Sequence, residues 1–239
     1  MLLLLLLAGL FAPPKPPNRP TAQPVVVLEL FTSQGCSSCP AADRVLQQLT
    51  ERASASGQAV YGLSFHVDYW NRLGWRDPFS QPLFTQRQQQ YDRLLHTQTY
   101  TPQLIINGRQ DFVGSQKNRI ETAIQHIQQQ PATTFVGIGG RMNRSARQLM
   151  VQYTLSASGP YRVNVAVVQQ QARTVVQSGE NGGRTLVNSN VVRQFSSVAA
   201  SPEGRITLPL PGDLAPDQLA VLLYVQRTDN QQIVGAVRL

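Results

Sequence analysis

"VVVLELFTSQGCSSCPAADRVLQQL", Val25 to Leu49, is the stretch on which the reading of the chain turns. Val25–Phe31 is a nearly continuous apolar run, the pattern of a strand buried on both faces. "TSQG" breaks it. From Cys39 on, Ala42, Val45, Leu46 and Leu49 recur at spacings of three and four, which predicts a helix with one apolar face. Cys36 and Cys39, the only cysteines of the chain, thus stand between the end of a strand and the start of a helix. The unpaired N–H groups of a helix start carry partial positive charge, which favours a thiolate. Cys39 lies one turn further on, and Pro40 suits a first turn that needs no N–H there. A dithiol so placed attacks a disulfide with its outer sulfur, Cys36, and resolves the product with Cys39. Two other readings stay open at this point. The pair could clamp soft Cu(I), with His66 or His96 as third ligand. It could also be a structural disulfide, although so small a loop stabilises little.

Working outward, Val60–Val67 is a second strand and Asp68–Phe79 an aromatic-rich loop. Phe84–His96 reads as a Gln-rich helix with Phe84, Tyr91, Leu94 and Leu95 on its buried side. Leu104–Ile106 and Asp111–Val113 are strands joined through Asn107-Gly108, a hairpin turn signal. Ser115 would cap a last helix reaching about Gln129. After Pro131 the character changes. Leu149/Val151/Tyr153/Leu155, Tyr161/Val163/Val165/Val167 and Ile206/Leu208/Leu210 alternate with polar residues, as do Leu219–Arg227 and Gln231–Leu239. Five or more short strands with Gly, Pro and Asn turns imply a β-sandwich-like second domain.

The N-terminus holds an apolar run, Leu2–Phe11, too short to span a bilayer that needs about 20 residues. Residues 1–12 read as a secretory signal or weak anchor, and 13–24 as a proline-rich linker. No membrane span is expected after signal removal. Export, secreted or periplasmic, would put the cysteines in an oxidising compartment. The net charge of +8 comes almost wholly from scattered arginines, Lys15 and Lys117 being the only lysines. No basic run with interleaved aromatics supports nucleic-acid binding. His66, His96 and His126 are isolated, there is no Ser-His-Asp order and no dinucleotide fingerprint, so a hydrolase, a zinc enzyme or a dinucleotide cofactor is not expected.

The dithiol at a strand–helix junction, the βαβ-α-ββα order and "YTPQLIING", with Pro102 just before a strand, resemble the thioredoxin superfamily over roughly 24–130. "LELFTSQGCSSCPAAD", "SFHVDYWNRLGWRDPF", "YTPQLIINGRQDFVG" and "SGENGGRTLVNSNVVR" are also similar to a family of secreted bacterial proteins of unknown function. That family joins a thioredoxin-like domain to a β-rich C-terminal domain. The resemblance implies an α/β thioredoxin-like domain over 25–130 followed by an all-β sandwich-like domain over 131–239. It also implies a cis Thr101–Pro102 bond facing the dithiol, with Thr101 offering backbone hydrogen bonds to a substrate. Glu29, inside the first strand seven residues before Cys36, stands near the place of the thioredoxin acid and could take the proton of Cys39. The other reading of Glu29 is a strand-edge residue facing water. Trp70 and Trp75, with His66, Asp68 and Tyr69, concentrate after the second strand, where α/β ligand sites lie; they form a substrate wall or pack a long loop. "GENGGR", Gly179–Arg184, is a tight loop, either an anion-holding nest or a turn docking on the first domain. These residues point to an exported thiol–disulfide oxidoreductase acting on protein or small-molecule thiols without a cofactor. Copper binding and a non-catalytic interaction module remain as alternatives.

Overall fold

The computed structural model describes residues 24–130, 134–145 and 147–239. The signal segment and most of the linker lie outside the described residues. In chain order the elements are β1 (Val26–Thr32), α1 (Cys39–Ala55), β2 (Val60–His66), α2 (Pro82–Leu95), β3 (Gln103–Ile106), β4 (Gln110–Val113) and α3 (Lys117–Gln129). They continue with β5 (Ile138–Arg144), β6 (Gln148–Leu155), β7 (Tyr161–Val175), β8 (Thr185–Ala199), β9 (Glu203–Pro209), β10 (Leu219–Arg227) and β11 (Ile233–Arg238).

These strands do not divide into an α/β thioredoxin-like domain and a following β-sandwich-like domain. One eight-stranded mixed sheet, ordered β11-β10-β7-β8-β2-β1-β3-β4, runs through both halves of the chain, and β5-β6-β9 form a second sheet of three. The join is the parallel pairing of β2 with β8 at Ser64 and Val191, supported by Ser64 Oγ donating to the Ser189 carbonyl at 2.8 Å. Alternation in the second half correctly marks apolar faces, but a period of two says nothing about which strand is the neighbour. β7 and β8 are 15 residues each, longer than the apolar alternation alone suggests, because they continue through "QQQAR" and "NSN" as a paired arm.

Three cores follow from the alternation. On β1, Leu28 and Leu30 pack with Ala42 and Leu46 of α1 and Ile120 of α3. Val27 and Phe31 face the other way, with Phe84 and Tyr91 of α2 and with Ala166, Leu222 and Tyr224 of the later strands. This second core crosses the expected domain boundary. The third lies between the three-stranded sheet and the odd-numbered residues of β7 and β10, such as Val165 and Leu223. Asn107 and Gly108 make the β3–β4 turn with positive φ (49° and 68°). The N-cap of α3 is Gln116, one residue after Ser115, and no side chain caps it.

Candidate functional site

The strand-to-helix reading holds at the cysteines. β1 ends at Thr32, a turn closes with Cys36 N–H donating to the Ser33 carbonyl (3.2 Å), and α1 begins at Cys39. Ser38 is the N-cap, yet its side chain caps nothing; its hydroxyl instead lies 3.2 Å from Cys36 Sγ. No acidic residue occupies the first turn of α1. The two cysteines are not bonded to each other, and both are buried, Cys36 1% and Cys39 0% exposed. A hydrogen bond from Cys39 brings the Cys36 thiol down to about 6, aided by Ser38 and Thr101 and opposed by burial. Burial pushes Cys39 up, and the neighbouring Cys36 and Asp43 push the same way.

The residues singled out in the sequence fall into two groups. Thr101 reaches the dithiol, its side chain bonding to Cys36, and its hydroxyl accepts from Trp70 Nε1 at 2.8 Å; the Thr101–Pro102 bond is cis. Trp70 backs the cysteine turn so closely that a Cβ on Gly35 would stand 3.2 Å from its own. Trp75 sits further out, its Nε1 donating to Gln34 Oε1 at 3.3 Å. Glu29 does not reach the sulfurs, and it does not face water either. Odd positions of β1 face α2, the face opposite α1. There Glu29 accepts from Arg87 Nε (2.9 Å), Tyr224 (2.8 Å) and the hydroxyl of Tyr91. His96 caps the end of α2 in a left-handed conformation. Among the described residues no group of three or more His, Cys, Asp or Glu side chains is placed to hold a metal ion.

The carboxylate beneath the dithiol is one the sequence reading passed over. Asp43 stands four residues after Cys39, on the same face of α1. That spacing is the signal that would have found it. It is buried, accepting from Thr32 Oγ1 (2.9 Å) and Asn188 Nδ2 (3.0 Å). Burial raises its carboxyl to about 7, against the pull of His66 and Thr32 and with Asp77 and Cys36 adding to the rise. His66, paired with Thr32 across β1 and β2, has Nδ1 2.7 Å from Asp77, while its buried Nε2 has no partner. Burial acts to lower His66, but Asp77 and then Asp43 outweigh it and raise it. Asp77 moves down, burial being outweighed by His66 and by the N–H groups of Gln34 and Phe79.

The second half of the chain completes the site. Gln34 Nε2 donates to Thr174 of β7 (3.0 Å) and to Asn188 of β8 (2.9 Å). The loop between those strands, with "GENGGR", docks on the cysteine turn rather than forming an open nest. Asn181 Nδ2 donates to the carbonyls of Gln34 and Cys36 (2.9 Å each), and Glu180 accepts from Ser37 N–H (2.9 Å). Gly179, at φ 74°, lets this tip approach the loop at Gly74, where a Cβ would stand 3.6 Å from the Gly179 backbone. No helix among the described residues is long and apolar enough to cross a membrane.

No curated protein matches the chain. A protein from Agrobacterium tumefaciens of known crystal structure is similar, at 29% identity and a TM-score of 0.66, over 90% of this chain and 93% of that one. A domain of the outer membrane lipoprotein Omp28 from Porphyromonas gingivalis gives 12% identity and a TM-score of 0.27, over 45% of this chain and 88% of that one. Cysteine turn, aromatic loop, cis-proline strand and docked hairpin all lie within residues 27–226, the span matched by one family model, and the chain belongs to that family, described as Protein of unknown function (DUF1223).

Proposed function

We propose that the protein carries out thiol–disulfide exchange at Cys36 and Cys39. The observation that carries this reading is the opposite treatment of two neighbouring sulfurs. Cys36 is stabilised as a thiolate near neutral pH, and Cys39 is kept protonated. Cys36 attacks one sulfur of a disulfide, whose S–S bond breaks and releases a thiolate. Cys39 then loses its proton to Asp43 and attacks Cys36 Sγ, releasing the second thiolate and leaving a Cys36–Cys39 disulfide. An external dithiol resets the pair. The likeness to the thioredoxin superfamily rests, on this reading, on the site and not on a separate domain. Export by the N-terminal apolar segment would place the reaction in an oxidising compartment.

The test uses the reduced protein in a single turnover, read by mass spectrometry. Cys36→Ser is expected to abolish disulfide reduction, and Cys39→Ser to accumulate a mixed disulfide at Cys36. Reduction by Cys36→Ser at the wild-type rate overturns the reading.

A further inference from the structure

His66 takes no part in the two sulfur steps, yet it is fully buried beside the group that receives the Cys39 proton. Even positions of β1 and β2 face α1. On β1 these are Leu28 and Leu30. On β2 a Cβ at Gly62 would stand 2.6 Å from Thr50 and 2.9 Å from Leu46 of α1, whereas Leu63, Phe65 and Val67 lie in the core on the other side. His66 therefore shares its face with Thr32, its neighbour in the β1–β2 register. Thr32 Oγ1 donates to Asp43 of α1.

A hydrogen-bonded series also joins the two side chains. Asp43 accepts from Asn188 Nδ2 (3.0 Å), and Asn188 Oδ1 accepts from Gln34 Nε2 (2.9 Å). Gln34 N–H donates to Asp77 Oδ2 (2.8 Å), which lies 2.7 Å from His66 Nδ1. The series ends at His66 Nε2, which has no partner among the described residues. A carboxylate only accepts, so Nδ1 carries a hydrogen and the charge of the ring is decided at Nε2. A bare Nε2 would leave a neutral ring beside two carboxyl groups in a low dielectric. A protonated one makes an ion pair with Asp77 and sets a positive charge beside Asp43. Against burial, which works the other way on both, His66 moves up and Asp77 down, as in an ion pair. Burial raises Asp43 to about 7, and His66 is the chief influence opposing that rise. From the elements packed around it, Asp43 meets His66 of β2, Asp77 of the loop that follows, and Cys36 and Cys39 of its own turn and helix. β1 and β8 bring it the neutral Thr32 and Asn188. His66 itself meets Asp77, Asp43 and the uncharged ring of Phe79.

We propose, on the reading that Asp43 takes the Cys39 proton, that His66 is a positioning residue of the exchange site: an imidazolium anchored by Asp77 that holds Asp43 as a carboxylate until that proton arrives. In the resting site Nε2 carries its hydrogen and Asp43 carries none. Cys39 gives its proton to Asp43 as its sulfur attacks Cys36 Sγ, and His66 keeps its own proton throughout. A neutral side chain in place of His66 leaves burial unopposed. Asp43 is then already protonated at neutral pH and has no place for the proton of Cys39. A cation this near favours a carboxylate by about 1–3 pH units.

The experiment mixes reduced wild type and His66→Gln with glutathione disulfide and quenches with acid over a range of pH from about 6 to 10. Mass spectrometry follows the mixed disulfide at Cys36 as it gives way to the Cys36–Cys39 bond. His66→Gln is expected to resolve the mixed disulfide at least about fivefold more slowly at pH 7, and to regain the wild-type rate about 1–3 pH units higher. The same pH midpoint in both proteins overturns the role of His66. So does a loss equal at every pH, which marks a purely structural residue. No mixed disulfide with the wild type overturns the exchange reading, on which this one rests. Nitrogen NMR of ring-labelled wild type reads the charge directly and needs no variant to fold. The chain has three histidines, of which His96 and His126 are exposed and His66 is buried. Both ring nitrogens of His66 should be protonated at pH 7; a bare Nε2 there overturns the proposal whatever the sulfurs do.

Discussion

Glu29 and Asp43 are two buried carboxylates on opposite sides of one strand, and their surroundings differ in kind. Glu29 is met by a guanidinium and two tyrosine hydroxyls, and Arg87 is further held by Gln226 and by the ring of Phe195, 4.8 Å away. Its charge is fully paired, and so it binds α2 to β1 and β10. Asp43 is met by one hydroxyl and one amide. No lysine or arginine among the described residues forms a salt bridge with it; its nearest cationic partner is His66, itself already tied to Asp77. A carboxylate compensated in full is a fastener. One compensated in part keeps a proton within reach at neutral pH, and that is the one beside the dithiol.

The comparison breaks most visibly at Arg87. Arg87→Met leaves Glu29 buried without its cation, a change that costs about 3–5 kcal/mol. Urea unfolding at pH 7 measures it, and the double variant Glu29→Gln, Arg87→Met should recover most of the loss. A cost of Arg87→Met below about 1 kcal/mol, the range of an exposed pair, would mean that Glu29 is not a fastener.

Asp43→Asn sharpens the other side. As the proton acceptor of Cys39, Asp43 should be worth about a hundredfold in the resolution of the mixed disulfide, read by rapid quench above pH 7. The advantage should fade as the pH falls below about 7, where the wild-type carboxyl is protonated. Stability moves the opposite way. The folded protein holds a proton on Asp43 up to about 7, whereas the unfolded chain releases it near 3.8, so wild-type stability falls as pH rises through that window. Asp43→Asn should be free of this fall and no less stable than wild type at pH 8. An unchanged resolution rate at pH 8 would return the proton's destination to the unknown.

Why one carboxylate was legible in the sequence and its partners were not follows from the range of the signals. The apolar run Val25–Phe31 and the spacing from Cys39 to Leu49 are local, and β1 and α1 stand close to where those patterns put them. The same apolar run placed Glu29 inside a strand, but not on which face, because α1 and α2 both supply an apolar layer. Arg87 lies three residues after Phe84 and four before Tyr91, thus on the buried face of α2, in a stretch whose glutamines made it look solvated. The remaining ties are polar side chains more than a hundred residues apart. Gln34 to Asn188, Asp43 to Asn188 and Asn181 to Cys36 join the halves, and no periodicity encodes such pairings. For the same reason the continuous eight-stranded sheet read as two domains.

Ser38 tests the smallest difference, between a residue that serves the fold and one that serves the sulfur. Serine at an N-cap ordinarily stabilises its helix by about 1 kcal/mol through its side chain. Here the hydroxyl makes no cap bond and lies against Cys36 Sγ instead. Ser38→Ala should therefore cost less stability than a usual cap loss, while removing one hydrogen bond to the thiolate. One such bond moves the pH midpoint of Cys36 alkylation upward by about one pH unit, from its value near about 6. Iodoacetamide kinetics from pH 4 to 9 give the midpoint, and thermal unfolding gives the stability. A helix weakened as at an ordinary cap, with the alkylation midpoint unmoved, would assign Ser38 to the fold and leave the Cys36 thiolate to Cys39, Thr101 and the start of α1.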